Sequence, residues 1–448
     1  MTPDRVWDTI RPHLLVDDLD FVLDLEASSG TWLVDARDGT RYLDMFAFFA
    51  SSALGMNHPA LVEDEAFRAE LLGAALNKPS NSDIATVAQA AFVETFLRVL
   101  GDPELPRLFL IEGGGLAVEN ALKAAFDWKS QRNEEAGRDP ALGTQVLHLR
   151  RAFHGRTGYT MSLTNTEPLK TARFPKFDWP RIDTPGMLFP LERHLEDVVA
   201  AEDRALAQAL EAFERHPHDI ACFIAEPIQG EGGDNHLRAE FLQSMQALCH
   251  EHEALFVLDE VQTGCGLTGS PWAYQQLGLE PDLVAFGKKL HVCGVMAGRR
   301  VLEIEDNVFT VPGRINSTWG GNLTDMVRTR RILEVIERDG LVDRTAALGK
   351  ELLDRLRELA AAHPQRLSNP RGRGLMCAVD LIDTTTRDAV IERLRTEERV
   401  FMLPSGDRTV RFRPPLTVSA EELAQACAAL ERVVARQGGA GPHRTITE

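Results

Sequence analysis

The stretch "LFLIEGGGLAVENALKAAF" (residues 108–126) joins an apolar run to a helical pattern through three glycines. Residues 107–111 predict a strand, and the apolar positions from Val118 to Ala125 follow the spacing of one helix face. Glycines let a backbone approach a ligand closely, and the free amides at a helix start attract an anion such as phosphate. The stretch therefore predicts a strand–turn–helix unit with a candidate phosphate cradle. A purely structural corner is the alternative.

Similar apolar runs alternate with amphipathic segments through the middle of the chain. The strand candidates are residues 107–111, 145–150, 219–228, 254–260 and 282–286, and the helix candidates include 190–215 and 236–252. Runs that are apolar at nearly every position suit strands covered on both faces. Their alternation with helices predicts an α/β fold with a mostly parallel central sheet.

The pattern changes near residue 326, where two long helix candidates are followed by a hairpin-like stretch, "TVRFRPPLTV", at 409–418. We expect a smaller α+β domain built from both chain ends, residues 1–60 and 326–448. The large domain between them then covers 61–325. The polar, glycine-rich tail at 436–448 is expected to be frayed.

Composition narrows the class of protein. The 448 residues carry a net charge of −18, which repels nucleic-acid phosphates and anionic lipids. The six cysteines are scattered, which is typical of a protein with reduced thiols. The first residues lack a signal-peptide pattern, and no apolar run approaches the roughly 20 residues that span a bilayer. The histidines beside Cys249 lack HExxH spacing, so no metal site is expected. These features predict a cytoplasmic enzyme that binds small molecules and neither nucleic acid nor membrane.

Two further stretches place charged groups at predicted strand ends. In "ALFVLDEVQTGCGLTG" (254–269) a strand ends at Asp259, where open α/β sheets bind ligands. In "LVAFGKKLHVCGVMAGRR" (283–300) Lys288 and Lys289 follow the next strand, so both groups can emerge at one sheet edge. The alternatives are an aspartate that caps a turn and a pair of solvated lysines.

The phosphate cradle, the carboxylate and the lysine together match the needs of pyridoxal 5′-phosphate. Its aldehyde requires a lysine amine, its phosphate requires amides, and its pyridine nitrogen requires an anion to stay protonated. The sequence therefore predicts this cofactor, with Lys288 and Asp259 as its central contacts.

Longer motifs extend this interpretation across the chain. "AALNKPSNSD", "FHGRTGYT", "AEPIQGEGGD", "DEVQTGCGLTG", "NSTWGGNLTDMVR" and "VRFRPPLTVS" are among the stretches, from about residue 14 to 420, that resemble class III, fold type I aminotransferases. The resemblance implies a large domain with a mostly parallel sheet and a smaller α+β domain. It also implies a homodimer with active sites at the subunit interface.

Matching motif positions imply a set of cofactor contacts. They are Lys288 for the Schiff base and proton transfer, Asp259 for the pyridine nitrogen, Gln262 near the ring hydroxyl and the substrate, Gly114 and Gly115 for the phosphate, Phe153 for the ring face, and Thr318, supported by Asn316 and Ser317, for the phosphate of the neighbouring subunit. Lys289 has no implied chemical role.

Three further positions imply how substrates bind. Arg156 resembles the residue that grips the α-carboxylate of lysine or the distal carboxylate of 2-oxoglutarate, because a guanidinium binds carboxylate by two hydrogen bonds. Arg411 resembles the second lock, and Glu231 the switch that neutralises Arg411 while lysine is bound; a salt bridge at the rim is the alternative. The resemblance thus implies ping-pong transfer of the ε-amino group of L-lysine to 2-oxoglutarate. A 4-aminobutyrate or ornithine δ-transaminase and a non-catalytic cofactor-binding protein stay open.

Two departures from the family pattern bear on the site. Gly115 stands where the family commonly has a side chain, which predicts a looser phosphate loop by about 0.5–1 kcal/mol. Leu290 and His291 replace an expected polar pair, and His291 is expected to pack or to form a hydrogen bond.

Overall fold

The computed structural model describes residues 1–16 and 19–436. The expectation of a frayed tail falls almost entirely on residues 437–448, outside this range. Within the described part, no helix combines the length and apolarity needed to cross a bilayer.

The elements are numbered in chain order. The strands are β1 Trp32–Val34, β2 Arg41–Asp44, β3 Arg107–Ile111, β4 Gln145–Leu149, β5 Arg181–Ile182, β6 Ile220–Ala225, β7 Ile228–Gln229, β8 Asn235–His236, β9 Leu255–Asp259, β10 Leu283–Phe286, β11 Cys293–Ala297, β12 Ser368–Arg373, β13 Met376–Asp380, β14 Val400–Phe401, β15 Leu403–Ser405 and β16 Thr409–Phe412. The helices are α1 Val6–Ile10, α2 Ala47–Ala50, α3 Pro59–Val62, α4 Glu65–Asn77, α5 Val87–Leu100, α6 Gly114–Glu135, α7 Thr160–Leu163, α8 Leu195–Arg215, α9 Ala239–Glu251, α10 Ala273–Gln276, α11 Arg299–Leu302, α12 Leu323–Arg338, α13 Leu341–Ala362, α14 Thr384–Thr396 and α15 Ala420–Ala435.

The large sheet has the strand order β3-β11-β10-β9-β6-β4-β5. Its neighbours are parallel except β11, which runs antiparallel to both β10 and β3. The carboxyl ends of β3, β10, β9, β6 and β4 therefore meet at one edge. The predicted α/β class with a mostly parallel sheet is confirmed. Strand β11 was not among the strands predicted from the sequence.

Both faces of this sheet are covered by apolar side chains. Ile224 and Val257 belong to the buried cluster that includes Ala121 of α6. On the opposite face, the Phe286 ring lies 5.0 Å from that of Phe96 on α5. Burial on both sides explains why these strands are apolar at nearly every position.

A second sheet, β12-β13-β16-β15, is antiparallel and lies in the C-terminal part. Near the other end of the chain, β2 pairs with β14, so Leu43 lies opposite Val400. The chain ends are thus joined by strand pairing, while the domain boundaries at 60 and 325 stay predictions.

The predicted hairpin within 409–418 is wrong in its extent. The hairpin forms between β15 and β16, and the strand ends at Phe412. Pro414 and Pro415 follow, and proline has no amide to donate to a sheet, so a returning strand is not possible there.

Close packing at Gly349 on α13 gives a stability test. A β-carbon at Gly349 would clash with the backbone of Gly374 in the turn between β12 and β13. We expect Gly349→Ala to lower the free energy of unfolding by about 1–3 kcal/mol, the usual effect of overpacking. The urea midpoint measures this change.

Gly73→Ala is the matched control, because a β-carbon at this exposed position on α4 meets nothing within 4 Å. The better helix propensity of alanine is expected to leave stability unchanged or raise it by up to ~1 kcal/mol. Equal midpoints for the two variants would show that the Gly349 contact does not constrain the fold.

Candidate active site

Asp259 and Lys288 emerge side by side from neighbouring parallel strands. Asp259 ends β9 and pairs in register with Ala285 of β10, and Lys288 follows β10 after Gly287. The backbone of Lys288 is left-handed, with φ 52°. Such a conformation is uncommon for a residue with a side chain and is typical of strained functional positions. The predicted convergence of carboxylate and amine is present.

His154 fixes the carboxylate of Asp259. The ring Nδ1 lies 2.8 Å from Asp259 Oδ2, and the backbone amide of Val261 donates to Oδ1 at 3.0 Å. His154 is buried, and its Nε2 has no hydrogen-bond partner within the described part of the chain. His154 was not predicted from the sequence as a site residue, although it stands beside Phe153 in "AFHGR".

The glycines bring the start of α6 against the same strand ends. A β-carbon on Gly114 would lie 2.8 Å from Cγ1 of Val261, and one on Gly155 would lie 2.8 Å from Cα of Gly115. Gly155 also has φ 113°, so it cannot be replaced without strain. The first amides of α6, which lack intrahelical acceptors, thus lie at the edge that carries Asp259.

Gly115 itself is less constrained than its neighbours. A β-carbon there would find Cγ2 of Thr157 at 3.4 Å, an ordinary van der Waals contact. A side chain would therefore fit, and the looser phosphate loop stays a prediction.

Burial lowers the pKa of both lysines. Lys289 is only 1% exposed, its Nζ lies 3.4 Å from the carbonyl oxygen of Gln262, and burial lowers its pKa to about 7. For Lys288, burial and then the cations Arg411 and Arg413 lower the pKa to about 8. The alternative of two solvated lysines is wrong.

Gln262 is oriented by Arg413. The Nε of Arg413 donates to Gln262 Oε1 at 3.1 Å, and Arg413 is buried in an ion pair with Asp234. Because a guanidinium only donates, the amide oxygen must face it, which leaves the Gln262 NH₂ group as a donor. The predicted donor role of Gln262 is compatible with this geometry.

Glu231 bridges two cations. Its Oε2 accepts from Arg411 Nη2 at 2.9 Å, and its Oε1 accepts from Lys170 Nζ at 2.7 Å. Burial opposes ionisation, but Arg411 and Lys170 outweigh it and lower the pKa of Glu231 to about 2. Lys170 was not identified in the sequence, because nothing in its neighbourhood signals a contact 61 residues away.

Arg411 is not a rim residue, since its side chain is 3% exposed. Its Nε and Nη1 atoms are buried, and within residues 1–16 and 19–436 they have no hydrogen-bond partner. A buried guanidinium with two free donors is suited to an incoming carboxylate. The alternative of a rim salt bridge is therefore wrong.

The loop that carries Phe153 and Arg156 is anchored by two glutamates. Glu226 Oε1 accepts from the Phe153 amide at 3.0 Å, and Glu119 Oε2 accepts from Thr157 Oγ1 at 2.6 Å. Arg156 is exposed, and no described residue forms an ion pair with it. The loop thus presents an unneutralised guanidinium on a fixed backbone.

Thr318 lies on an exposed loop. Its carbonyl oxygen accepts from Ser80 Oγ at 2.7 Å, and the Asn316 side chain accepts from the Ser317 amide at 2.7 Å. No hydrogen bond joins Thr318 to Gly114 in the part of the chain that the structure covers.

His291 forms the hydrogen bond that the sequence allowed. Its Nε2 lies 3.1 Å from the carbonyl oxygen of Ser51, and burial with nearby Arg328 lowers its pKa to about 4. Ser51 follows the turn Ala47–Ala50, where four successive residues have positive φ. A neutral His291 thus ties the Lys288 turn to a strained segment near the N-terminus.

Other histidines give no sign of a metal centre. His252 stacks on Phe213 at 4.5 Å, and His250 lies 3.4 Å from Asp282. The described residues contain no group of three or more histidine, cysteine or acidic side chains arranged to hold a metal ion.

Comparisons with known proteins show the family of the chain. The sequence model of the class III aminotransferases matches residues 16–434, and the chain belongs to that family. The L-lysine-epsilon aminotransferase of Mycobacterium tuberculosis is 66% identical over 429 residues, 96% of this chain and 95% of that protein. That of Amycolatopsis lactamdurans is 63% identical over 435 residues, 97% of this chain and 96% of that protein.

A solved structure shows the same fold. The lysine aminotransferase from M. tuberculosis in the internal aldimine form has a TM-score of 0.95 and 65% identity, covering 97% of this chain and 99% of that one. Pyridoxal 5′-phosphate is the cofactor of this family. The residues fit it, because Lys288, Asp259 and the close-packed glycines Gly114 and Gly155 share one sheet edge. The predicted cofactor is confirmed.

The lowered pKa of Lys288 gives a pH test on the cofactor-free protein. The amine is neutral above its pKa of about 8, so we expect the rate of pyridoxal phosphate capture to rise through pH 8 and level off near pH 9. A lysine at its ordinary value, near 10.4, would level off only above pH 11. Stopped-flow absorbance measures the rate, and Lys288→Ala should lack this phase. A rate still climbing at pH 10 would contradict the assigned environment.

Proposed function

We propose that this protein transfers the ε-amino group of L-lysine to 2-oxoglutarate, giving 2-aminoadipate 6-semialdehyde and L-glutamate. The observation that carries the proposal is the state of Arg411, which is paired with Glu231 on one side and whose Nε and Nη1 have no hydrogen-bond partner among the described residues. Such a group suits two substrates that differ in charge. The lysine specificity named for the relatives supports the choice of donor.

The bound cofactor supplies an electron sink that makes the C–H bond next to the substrate nitrogen acidic. Asp259, held by His154, would keep the pyridine nitrogen of the cofactor protonated. Lys288 would hold the cofactor through its aldehyde carbon before substrate arrives. Its Nζ then acts as the base, taking a proton from the ε-carbon of lysine and, in the second half-reaction, giving one to the α-carbon of glutamate. The lowered pKa, about 8, increases the fraction of that amine that is neutral and able to accept a proton.

Substrate binding uses the arginines in turn. Arg156 grips the α-carboxylate of lysine, and the pair of Glu231 with Arg411 prevents Arg411 from repelling the lysine side chain. In the second half-reaction Arg411 takes the α-carboxylate of 2-oxoglutarate by two hydrogen bonds, and Arg156 takes the distal one. Because one substrate leaves before the next binds, the kinetics are ping-pong.

We also infer that the active enzyme is a cytoplasmic homodimer. The exposed Thr318 supports a contribution to the phosphate site of a second copy. Exposed apolar residues on either side of Ser80, which bonds the Thr318 carbonyl, support a subunit contact in the same region; they are Leu72, Leu76, Ile84 and Val87. All six cysteines are free, which fits a reducing compartment.

Absorbance changes with separate amino donors test the proposed reaction. We expect lysine to bleach the cofactor band of the holoenzyme and 2-oxoglutarate to restore it, with 4-aminobutyrate and ornithine slower by at least about tenfold, as expected for binding differences of 1–3 kcal/mol. Lys288→Ala should lose both changes. Faster bleaching by ornithine or 4-aminobutyrate would show that this amine, and not lysine, is the preferred amino donor. The absence of bleaching by any amine would favour a non-catalytic cofactor-binding protein.

Mixed dimers test the shared site. A Lys288→Ala chain and a Thr318→Ala chain together form one wild-type site and one doubly altered site. We expect the mixture, after dissociation and reassociation, to be more active than the average of the two parents. Activity equal to that average would show that Thr318 serves its own chain or no site.

A further inference from the structure

We propose that Lys170 is a positioning residue that retains Glu231 when this carboxylate leaves Arg411, so that 2-oxoglutarate can bind. This inference rests on the proposed function, since it concerns the exchange of partners at Arg411 between two substrates. Lys170 lies in the short 3-10 turn Pro168–Lys170, far in sequence from both partners.

The contacts assign one cation to each oxygen of Glu231. Lys170 Nζ reaches Oε1 at 2.7 Å, and Arg411 Nη2 reaches Oε2 at 2.9 Å. Because the two bonds use different oxygens, the bond to Arg411 can break while the bond to Lys170 persists. The carboxylate of Glu231 can then rotate away from Arg411 while its Oε1 stays bonded to Lys170, so it is never without a cationic partner.

The surroundings hold Lys170 in place for this task. Its Nζ also lies 3.0 Å from Glu167 Oε1 and 5.5 Å from the centre of the Phe153 ring. The side chain is 19% exposed, and that of Glu231 is 26% exposed, so the pair is only partly screened by water. An anion on one side and an aromatic face on the other orient the ammonium group toward Glu231.

There is room for Glu231 to move. A polar cavity of about 550 Å³ is bordered by Glu231, Thr166, Glu167 and Arg387. Thr166 and Glu167 belong to the segment that leads into the Lys170 turn, so this segment and Glu231 border the same space. The carboxylate can leave Arg411 without entering apolar surroundings.

The charge balance makes Lys170 matter more in the second half-reaction. While Arg411 is paired with Glu231, the carboxylate has two cationic partners, so the loss of Lys170 still leaves it paired. Once a substrate carboxylate occupies Arg411, Lys170 is the remaining ion-pair partner of Glu231 among the residues that the structure describes. Removing it leaves a partly buried carboxylate unpaired, which is costly.

The test compares the two half-reactions in Lys170→Met, Lys170→Arg and the control Lys176→Met. Lys176 is an exposed lysine on the same connecting segment, so its removal changes the net charge equally without touching Glu231. Each half-reaction is followed separately by single-turnover absorbance. Binding of glutarate, an unreactive dicarboxylate, to the aminated holoenzyme is measured by calorimetry as a readout independent of turnover.

For Lys170→Met we expect the 2-oxoglutarate concentration at half-maximal rate, and the glutarate Kd, to rise about tenfold, the effect of leaving a partly desolvated charge unpaired. The corresponding lysine concentration should change less than twofold. Lys170→Arg should restore most of the difference, and Lys176→Met should match the wild type. In a Glu231→Gln background, Lys170→Met should have no further effect, because no carboxylate is left to hold.

Equal weakening of both half-reactions, no change in either, or an undiminished effect in the Glu231→Gln background would overturn the role of Lys170. Failure of the proposed function gives a different result, since the aminated wild-type enzyme would then not react with 2-oxoglutarate at all.

Discussion

Parallel pairing of β9 with β10 is the constraint on which the site depends. It sets Asp259 opposite Ala285, so that the next residues after β10 carry Lys288 to the same edge as the carboxylate. The antiparallel β11 between β10 and β3 lets β3 end at that edge as well, which delivers the glycines at the start of α6. Three distant segments therefore converge without a long loop, because the sheet fixes their ends.

Around this edge the chemistry is governed by charges that are buried unequally. Lys288 shares its surroundings with Arg411 and Arg413, which favours the neutral amine. Each arginine is balanced by its own carboxylate, Glu231 for Arg411 and Asp234 for Arg413. The two carboxylates differ in exposure. Asp234 is fully buried, while Glu231 borders a polar cavity and has Lys170 as a second partner. One pair is thus structural and the other is suited to exchange.

Several predictions followed from local pattern alone. The strand at 107–111 was identified to the residue, and the presence of a helix after the glycines was identified from the apolar spacing of 118–125, because continuous apolar runs and helical spacing depend only on burial of neighbouring positions. Asp259 and Lys288 were identified because their residue types follow strands directly. The hairpin at 409–418 was misplaced, since the partner of β16 precedes it and is only three residues long. His154 and Lys170 were missed, because their meaning lies in contacts across the chain.

By itself, the sequence determined the class of fold, the cofactor and the residue types at each strand end, since these depend on hydrophobic periodicity, short glycine turns and motif likeness. Only the tertiary structure decided that Lys289 is buried, that Arg411 has two donors without a partner in the described part of the chain, and that Glu231 lies between two cations. Burial and charge balance are sums over residues brought together from many parts of the chain. No local stretch contains that information, because it arises only when the sheets and loops are packed against one another.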